Sequence, residues 1–185
     1  EGEIENLPLE DGSVDVVVAD VAGKGFAASL IMASVKAMLP FVVTEGSVAD
    51  SLTRLNQRLA PELGRGEFVA LVMARYRPAA ATVELANAGC PDPYLLGTER
   101  SATSLAVPGA RLPLGIRDDV AYASRSVPLP ADSRLLLLTD GLPEARANGG
   151  EPLGYDVLES LLVQGPDRKG PSQWLGELFD RIQRT

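Results

Sequence analysis

The chain is 185 residues long, 45% hydrophobic, and carries a formal net charge of -8 with no histidine. The length fits one domain that buries about 70% of the surface its unfolded chain exposes, with one core expected. The acidic balance, without any basic run, excludes a nucleic-acid footprint, and the lack of imidazole removes the Ser-His-Asp triad, His-ligated zinc and imidazole acid–base catalysis together.

Chemistry in this chain therefore falls to carboxylates, hydroxyls, backbone groups and metal ions. Cys90 is the only cysteine, so no intrachain disulfide forms and a reducing cytoplasm is the expected compartment. The apolar stretches fall short of the roughly 20 residues that cross a bilayer, and no signal-peptide pattern precedes them, so no membrane segment is expected. The sequence opens at Glu1 rather than Met and reads as a piece of a longer polypeptide.

In chain order, Leu7 to Gly12 reads as an extended piece closing in an Asp-Gly hairpin turn, with Val14 to Ala19 as the partner strand. Phe26 to about Val43 follows a glycine-rich turn and is rich in Ala, Leu and Met. A helix that Pro40 ends or kinks is expected there, buried because it carries little charge. Ser47 caps a helix reaching about Leu63, with Leu52, Leu55 and Leu59 on one face and Asn56, Gln57 and Arg58 turned away. Phe68 to Tyr76 and Thr82 to Ala88 form an antiparallel pair, and Tyr94 to Leu96 continues that sheet.

Loops and short strands fill Thr98 to Arg125, with one strand near Ala121 to Val127. Leu135 to Thr139 reads as a strand covered on both faces. Tyr155 to Leu162 and Ser172 to Arg184 are helical, and the Trp174, Leu175, Leu178, Phe179, Ile182 stripe is packing. Hairpin signals interrupted by two helices and closed by two more indicate antiparallel sheets covered by helices.

Two features carry the chemistry. Val14 to Ala19 leads into Asp20, and Arg134 to Thr139 leads into Asp140-Gly141. A carboxylate at the mouth of a buried strand loses hydration, which a cation or converging N–H groups must replace. Each aspartate also suits an ordinary turn, with Gly supplying positive φ. After Asp20, however, Gly23 and Gly25 flank Lys24 and lead directly into a helix. That brings free N–H groups close to a carboxylate, a setting suited to phosphate and its counter-cation. The P-loop spacing is not met, since Gly25 and Phe26 follow Lys24, and Lys24 reads as a solvated turn residue. Glu144, after Pro143, suits a helical first turn. Ser29 and Ser34 lack a neighbouring base and read as packing residues.

Several segments resemble, in order, the SpoIIE/RsbU branch of the PPM metal-dependent serine/threonine phosphatases. They are Asp20-Val-Ala-Gly-Lys-Gly25 with Ala27 to Ala33, Phe68-Val69, Asn87-Ala-Gly89 with Pro91 and Pro93, Leu112-Pro-Leu-Gly115-Ile116, Leu135 to Leu142 with Glu144-Ala145, and Leu153-Gly154. The resemblance implies an α+β sandwich of two antiparallel β-sheets flanked by helices on both faces. It implies a two-metal Mn²⁺ or Mg²⁺ site in which Asp20 bridges the ions, the Val21 carbonyl ligates one and Asp140 ligates the other side. Hydrolysis of a phosphoserine or phosphothreonine ester by metal-activated water would follow, making Asp20 and Asp140 the catalytic positions. Oxygen donors without imidazole or thiolate select the same hard ions.

Family members carry an earlier Gly-Gly-Asp stretch where this chain reads Glu1-Gly2-Glu3, so Glu3 stands in as the oxygen ligand. They also end in an Asp-Asp-x-Thr strand that these residues do not include. The expectation is thus a single phosphatase-like domain over 1-185, truncated at both ends relative to the family. Cys90 replaces a turn histidine and reads as structural. A phosphorylated anti-anti-sigma-like protein is the implied partner, with an upstream sensory or receiver domain in the parent chain. Fewer carboxylates weaken a dication site, so a phosphatase-like binding or sensor module without turnover is the competing expectation.

Overall fold

The computed structural model describes residues 3–8, 12–43, 46–97, 100–146, 150–163 and 170–184, with the backbone alone for 3–8. The chain divides into two compact units, Glu1–Cys90 with Val107–Pro128, and Pro91–Ala106 with Leu129–Thr185. Buried apolar side chains accordingly gather in two clusters rather than the one core that chain length suggests.

The first unit holds a five-stranded antiparallel sheet in the order β1-β2-β3-β4-β7, from β1 (Glu3–Pro8), β2 (Val14–Val21), β3 (Val69–Arg77), β4 (Thr82–Ala88) and β7 (Arg125–Pro128). The β1–β2 hairpin forms in the register Pro8↔Val14 to Glu3↔Ala19, although its Asp11 lies outside the described residues. Side chains alternate along β2. Val17 and Ala19 therefore join Leu71, Met73, Ala86 and Ala88 in a core covered by α1 (Gly25–Val42) and α2 (Val48–Leu59).

Helix α2 follows its sequence signals. The Ser47 hydroxyl accepts the Asp50 N–H at 3.0 Å, and Leu52, Leu55 and Leu59 are fully buried. The helix passes into a 3-10 turn at Ala60–Glu62, where Pro61 removes a donor.

Helix α1 departs from expectation. Ile31, Val35, Leu39 and Val42 are buried, but Phe26, Leu30 and Phe41 stand 80%, 53% and 74% exposed. With 18 residues and a mean hydropathy of 1.6, it is long and apolar enough to cross a membrane by length and composition. Pro40 sits in its last turn, and the helix ends two residues later at Val42. Ser29 is exposed rather than packed, and its hydroxyl donates to the Gly25 carbonyl at 3.1 Å.

A buried ion pair that the sequence reading did not single out ties the first unit together. Asp15 and Arg75 are register partners on β2 and β3 and are 0% and 1% exposed. Arg75 Nε donates to Asp15 Oδ1 and Nη2 to Oδ2, each at 2.7 Å, while Nη1 donates to the Gly46 carbonyl at 2.6 Å. Glu84 adds a second buried acid. It accepts the Val48 N–H at the start of α2, the Ser124 hydroxyl and an Arg77 N–H. A carboxylate there also favours the positive end of the helix.

The second unit holds a three-stranded antiparallel sheet, β6-β5-β8, from β5 (Tyr94–Gly97), β6 (Ser101–Ser104) and β8 (Arg134–Leu136). Tyr94 to Leu96 thus opens a separate sheet instead of extending the first. Strand β8 ends at Leu136, three residues earlier than its apolar run suggests, and its residues are half-buried rather than covered on both faces. Its described pairing with β5 ends at Leu136↔Tyr94. Pro93, next along β5, accepts the Leu105 N–H at 2.7 Å and so turns its main chain toward the β6 side instead.

Helices α3 (Gly154–Val163) and α4 (Pro171–Ile182) supply Leu158, Leu162, Trp174, Leu178 and Ile182 to this unit's core. Trp174 is packing, as its spacing indicates, with the Arg134 guanidinium 5.9 Å from its ring centroid. The Tyr94 hydroxyl donates to Glu159 at 2.8 Å, and burial raises its pKa well above the ordinary tyrosine value.

Candidate metal and phosphate site

Of the residues singled out in the sequence, Glu3, Asp20 and Val21 lie in the first unit and Asp140 in the second. Asp20 is the seventh residue of β2, paired with Ala70, and shares a face with Val16 and Val18. It is exposed. The strand mouth therefore keeps this carboxylate hydrated, contrary to the burial its apolar approach suggests.

Val21 stands opposite Val69, but Val69 spends its hydrogen bonds elsewhere: its N–H donates to the Leu114 carbonyl at 3.0 Å and its carbonyl accepts the Leu114 N–H at 2.8 Å. Ladder alternation then turns the Val21 carbonyl away from β3. On that side the described register of β1 stops at Glu3↔Ala19. A carboxylate and a carbonyl oxygen thus leave the strand at neighbouring positions.

The turn that follows depends on glycine. Ala22 N–H donates to the Phe68 carbonyl at 2.9 Å, and the chain then reverses with φ of +115° at Gly23 and +74° at Gly25, conformations that strain residues with a Cβ. Lys24 occupies the N-cap of α1 without a side-chain cap, and the first turn holds no acid. The first N–H groups of α1 therefore open within five residues of Asp20.

Asn56 holds the Leu114 segment in place. The sequence reading turned it away from the core, yet it is 0% exposed. Its Oδ1 accepts the Gly115 N–H at 2.9 Å and its Nδ2 donates to the Arg117 carbonyl at 2.7 Å. The chain of contacts runs from α2 through Asn56 and Gly115 to Leu114, then to Val69 opposite Val21. Gly115 adopts φ +90°, and a Cβ there would collide with the Leu63 side chain.

Asn56→Ala is expected to lower stability by about 1–3 kcal/mol, because two backbone groups lose their partner. Hydrogen exchange should show faster exchange at Gly115 and Val69 in that variant, with little change at β4. Protection of Val69 equal to wild type would disprove the linkage.

Asn87 organises the next turn. Its Oδ1 accepts the Cys90 N–H at 2.9 Å, and its Nδ2 donates to the Cys90 carbonyl at 3.0 Å, which Arg111 also reaches at 3.0 Å. Cys90 itself is buried at 2% exposure, consistent with a structural role. Tyr122, whose hydroxyl donates to the Leu112 carbonyl at 2.8 Å, is pushed up to about 12 by burial.

Asp140 sits in a turn, exposed, two residues beyond the buried Leu138 that anchors the segment. Its backbone carbonyl accepts the Glu144 N–H at 2.9 Å, and the Pro143 carbonyl accepts the Gly154 N–H at 2.8 Å. Glu144 thus belongs to this turn and not to a helix. Glu3 is described by its backbone alone, in register with Ala19.

The donor chemistry fits a hard divalent ion, since carboxylate and carbonyl oxygens lie together at the end of β2. Among the described residues, no three His, Cys, Asp or Glu side chains gather into a ready-made cage.

The fold matches solved PP2C-type phosphatase domains. The SiaA-PP2C domain of Pseudomonas aeruginosa aligns with a TM-score of 0.81 at 17% identity, covering 99% of this chain and 72% of that one. RsbX, solved in complex with magnesium, aligns at 0.68 with 16% identity, over 97% of this chain and 78% of that one.

The family model of stage II sporulation protein E matches residues 10–185, and the chain belongs to the SpoIIE family. It is 25% identical over 150 residues to the phosphoserine phosphatase RsbU of Bacillus subtilis (strain 168), a match covering 80% of this chain and 44% of RsbU. The chain thus spans less than half the length of that curated relative.

Proposed function

We propose that the protein containing this chain hydrolyses phosphoserine or phosphothreonine esters on a small regulatory protein, with Mn²⁺ or Mg²⁺ held by Asp20, the Val21 carbonyl and Asp140. The observation carrying this reading is the end of β2, where a carboxylate and a carbonyl turned away from β3 precede a helix N-terminus without a side-chain cap, in a chain matched by the SpoIIE model over 10–185. Glu3 is the candidate for a further carboxylate ligand.

Bound as a pair, the ions would acidify a water toward neutral pH and neutralise charge on the phosphoryl oxygens. The chain's own tasks are simpler. Asp20 supplies negative charge at a fixed point on a strand, and the glycine turn brings the first N–H groups of α1 toward the same region, where they favour an anion. These 185 residues hold no imidazole to protonate the leaving alkoxide. An anti-anti-sigma-like phosphoprotein as substrate, an upstream sensory or receiver domain, a single catalytic domain over 1–185 and a cytoplasmic setting rest on family resemblance.

The absence of a three-group cage among the described residues favours a second reading, a binding or sensor module without turnover. Phosphate release from a phosphoserine peptide by the full protein, titrated with Mn²⁺ and Mg²⁺, separates the two. Saturable metal-dependent release is expected, and none at any metal concentration would leave the binding module.

A further inference from the structure

A groove of about 210 Å³ lies beside the N-terminal half of α1, between that helix and the segment that carries the chain from α2 to β3. Its floor is apolar. Ile31 and Leu59 are buried there, and Leu30 and Leu63 line the sides. Leu63 also fills the space that a Cβ on Gly115 would need, which wedges it in place. Two carboxylates line the same groove, Glu62 exposed and Glu67 half-buried. Glu67 is fixed: its Oε2 accepts the Gly64 N–H at 2.6 Å, and its own N–H donates to the Gly64 carbonyl at 3.1 Å.

An apolar trough edged by acid selects a particular guest. A divalent ion needs oxygen donors on every side, and among the described residues no third His, Cys, Asp or Glu joins these two. A purely apolar group would leave both carboxylates without gain. A lysine or arginine side chain satisfies both parts, since its methylenes lie along apolar surface while the charged head stays at the wet edge. The space suits one such side chain, being that of about seven waters at roughly 30 Å³ each.

We infer that this groove recognises an arginine or lysine of the phosphoprotein substrate, about three residues from the phosphoserine. That register rests on the phosphoesterase reading, with the phosphate at the N-terminus of α1. From Gly25 to the middle of the groove, between Leu30 and Ile31, is about 8 Å at 1.5 Å per helical residue. An extended peptide advances about 3.3 Å per residue, so three residues carry it from the helix start to a position over the groove.

Charge points the same way. The chain carries -8 and a phosphoserine adds about -2, so a substrate without basic residues meets net repulsion. A basic side chain between Glu62 and Glu67 offsets that repulsion close to the phosphate.

The test uses the full protein with Mn²⁺ and three phosphoserine peptides of alanine–glycine background. They differ only at the positions three residues to either side of the phosphoserine, which carry arginine, glutamine or glutamate. The kcat/KM for the arginine peptide should exceed that for the glutamine peptide by at least about fivefold, mostly through KM. The glutamate peptide should rank lowest, and the spread should shrink at high salt. The double variant Glu62→Gln/Glu67→Gln keeps an acceptor for the Gly64 N–H and should bring the arginine-to-glutamine ratio close to one. Glu62→Lys/Glu67→Gln should place the glutamate peptide ahead of the arginine peptide, a reversal that loss of fold does not produce.

A ratio near one in the wild type, or one that persists in the double glutamine variant, would overturn the proposal. Failure of the phosphoesterase reading looks different, because then no peptide releases phosphate. In that case the same three peptides, labelled with a fluorophore, give dissociation constants by anisotropy. The arginine peptide must still bind at least about fivefold more tightly than the glutamine peptide, and equal or absent binding sinks the groove as well.

Discussion

Asp20→Asn in the full protein is expected to cut phosphoserine turnover by at least about 10³-fold, an activation penalty of roughly 4 kcal/mol. The substitution keeps the size and shape of the side chain and removes its charge. In an oxygen-donor site, affinity follows ligand charge, and Asp20 is the carboxylate that shares the end of β2 with the outward-turned Val21 carbonyl. Because Asp20 is exposed, its replacement leaves the fold within the small range of surface changes. Electron paramagnetic resonance of Mn²⁺ titrated into wild type and variant reads metal binding independently of turnover. The same pair of measurements on Asp140→Asn tests the other proposed ligand. Wild-type turnover and Mn²⁺ affinity in the Asp20 variant would remove it from the site.

The second large effect is on stability. Asp15→Ala or Arg75→Ala is expected to cost about 3–5 kcal/mol, because each strands a buried charge without its counter-ion. For a chain of this size, that lowers the melting temperature by on the order of 10 °C. Arg75→Ala also leaves the Gly46 carbonyl without the guanidinium that reaches it at 2.6 Å.

The double variant Asp15→Leu/Arg75→Met removes both charges from a site between β2, β3 and the α1–α2 connection. It should recover most of the loss, since an apolar pair of similar volume often matches a buried ion pair. A double-mutant cycle followed by thermal denaturation reads the coupling. If the double variant were as unstable as the sum of the singles, the pair would owe its worth to backbone anchoring at Gly46 and not to mutual neutralisation.

What the sequence made legible follows local rules. The Ser47 cap and the β3–β4 pair rest on short-range patterns and formed as read, whereas of the stripe on α4 only Trp174, Leu178 and Ile182 pack, and Leu175 and Phe179 stay exposed. What it concealed depends on long-range partners. Asn56 looks like one polar residue among three, and only the return of the Gly115–Arg117 segment makes it a buried bracket. Asp15 had a signal that went unused: it shares the parity of Val17 and Ala19, so its carboxylate had to face the core, and Arg75 stands opposite in register. Helix α1 was read as buried because its composition lacks charge, but composition does not tell which apolar face a fold leaves uncovered. At the candidate site, the order of aspartate, carbonyl and glycine turn was visible in the string. The hydration of Asp20 was not, because strand hydrophobicity says nothing about where the sheet stops.

Strand β8 stops short of the aspartate it leads to. Because its pairing ends at Leu136, the run from Leu137 to Asp140 is free of the strict two-residue alternation of a sheet. The direction in which Asp140 leaves the chain is then decided by one buried anchor, Leu138, and one carbonyl bond to Glu144. Evolution can re-aim that carboxylate by altering a turn, without reshuffling a single strand.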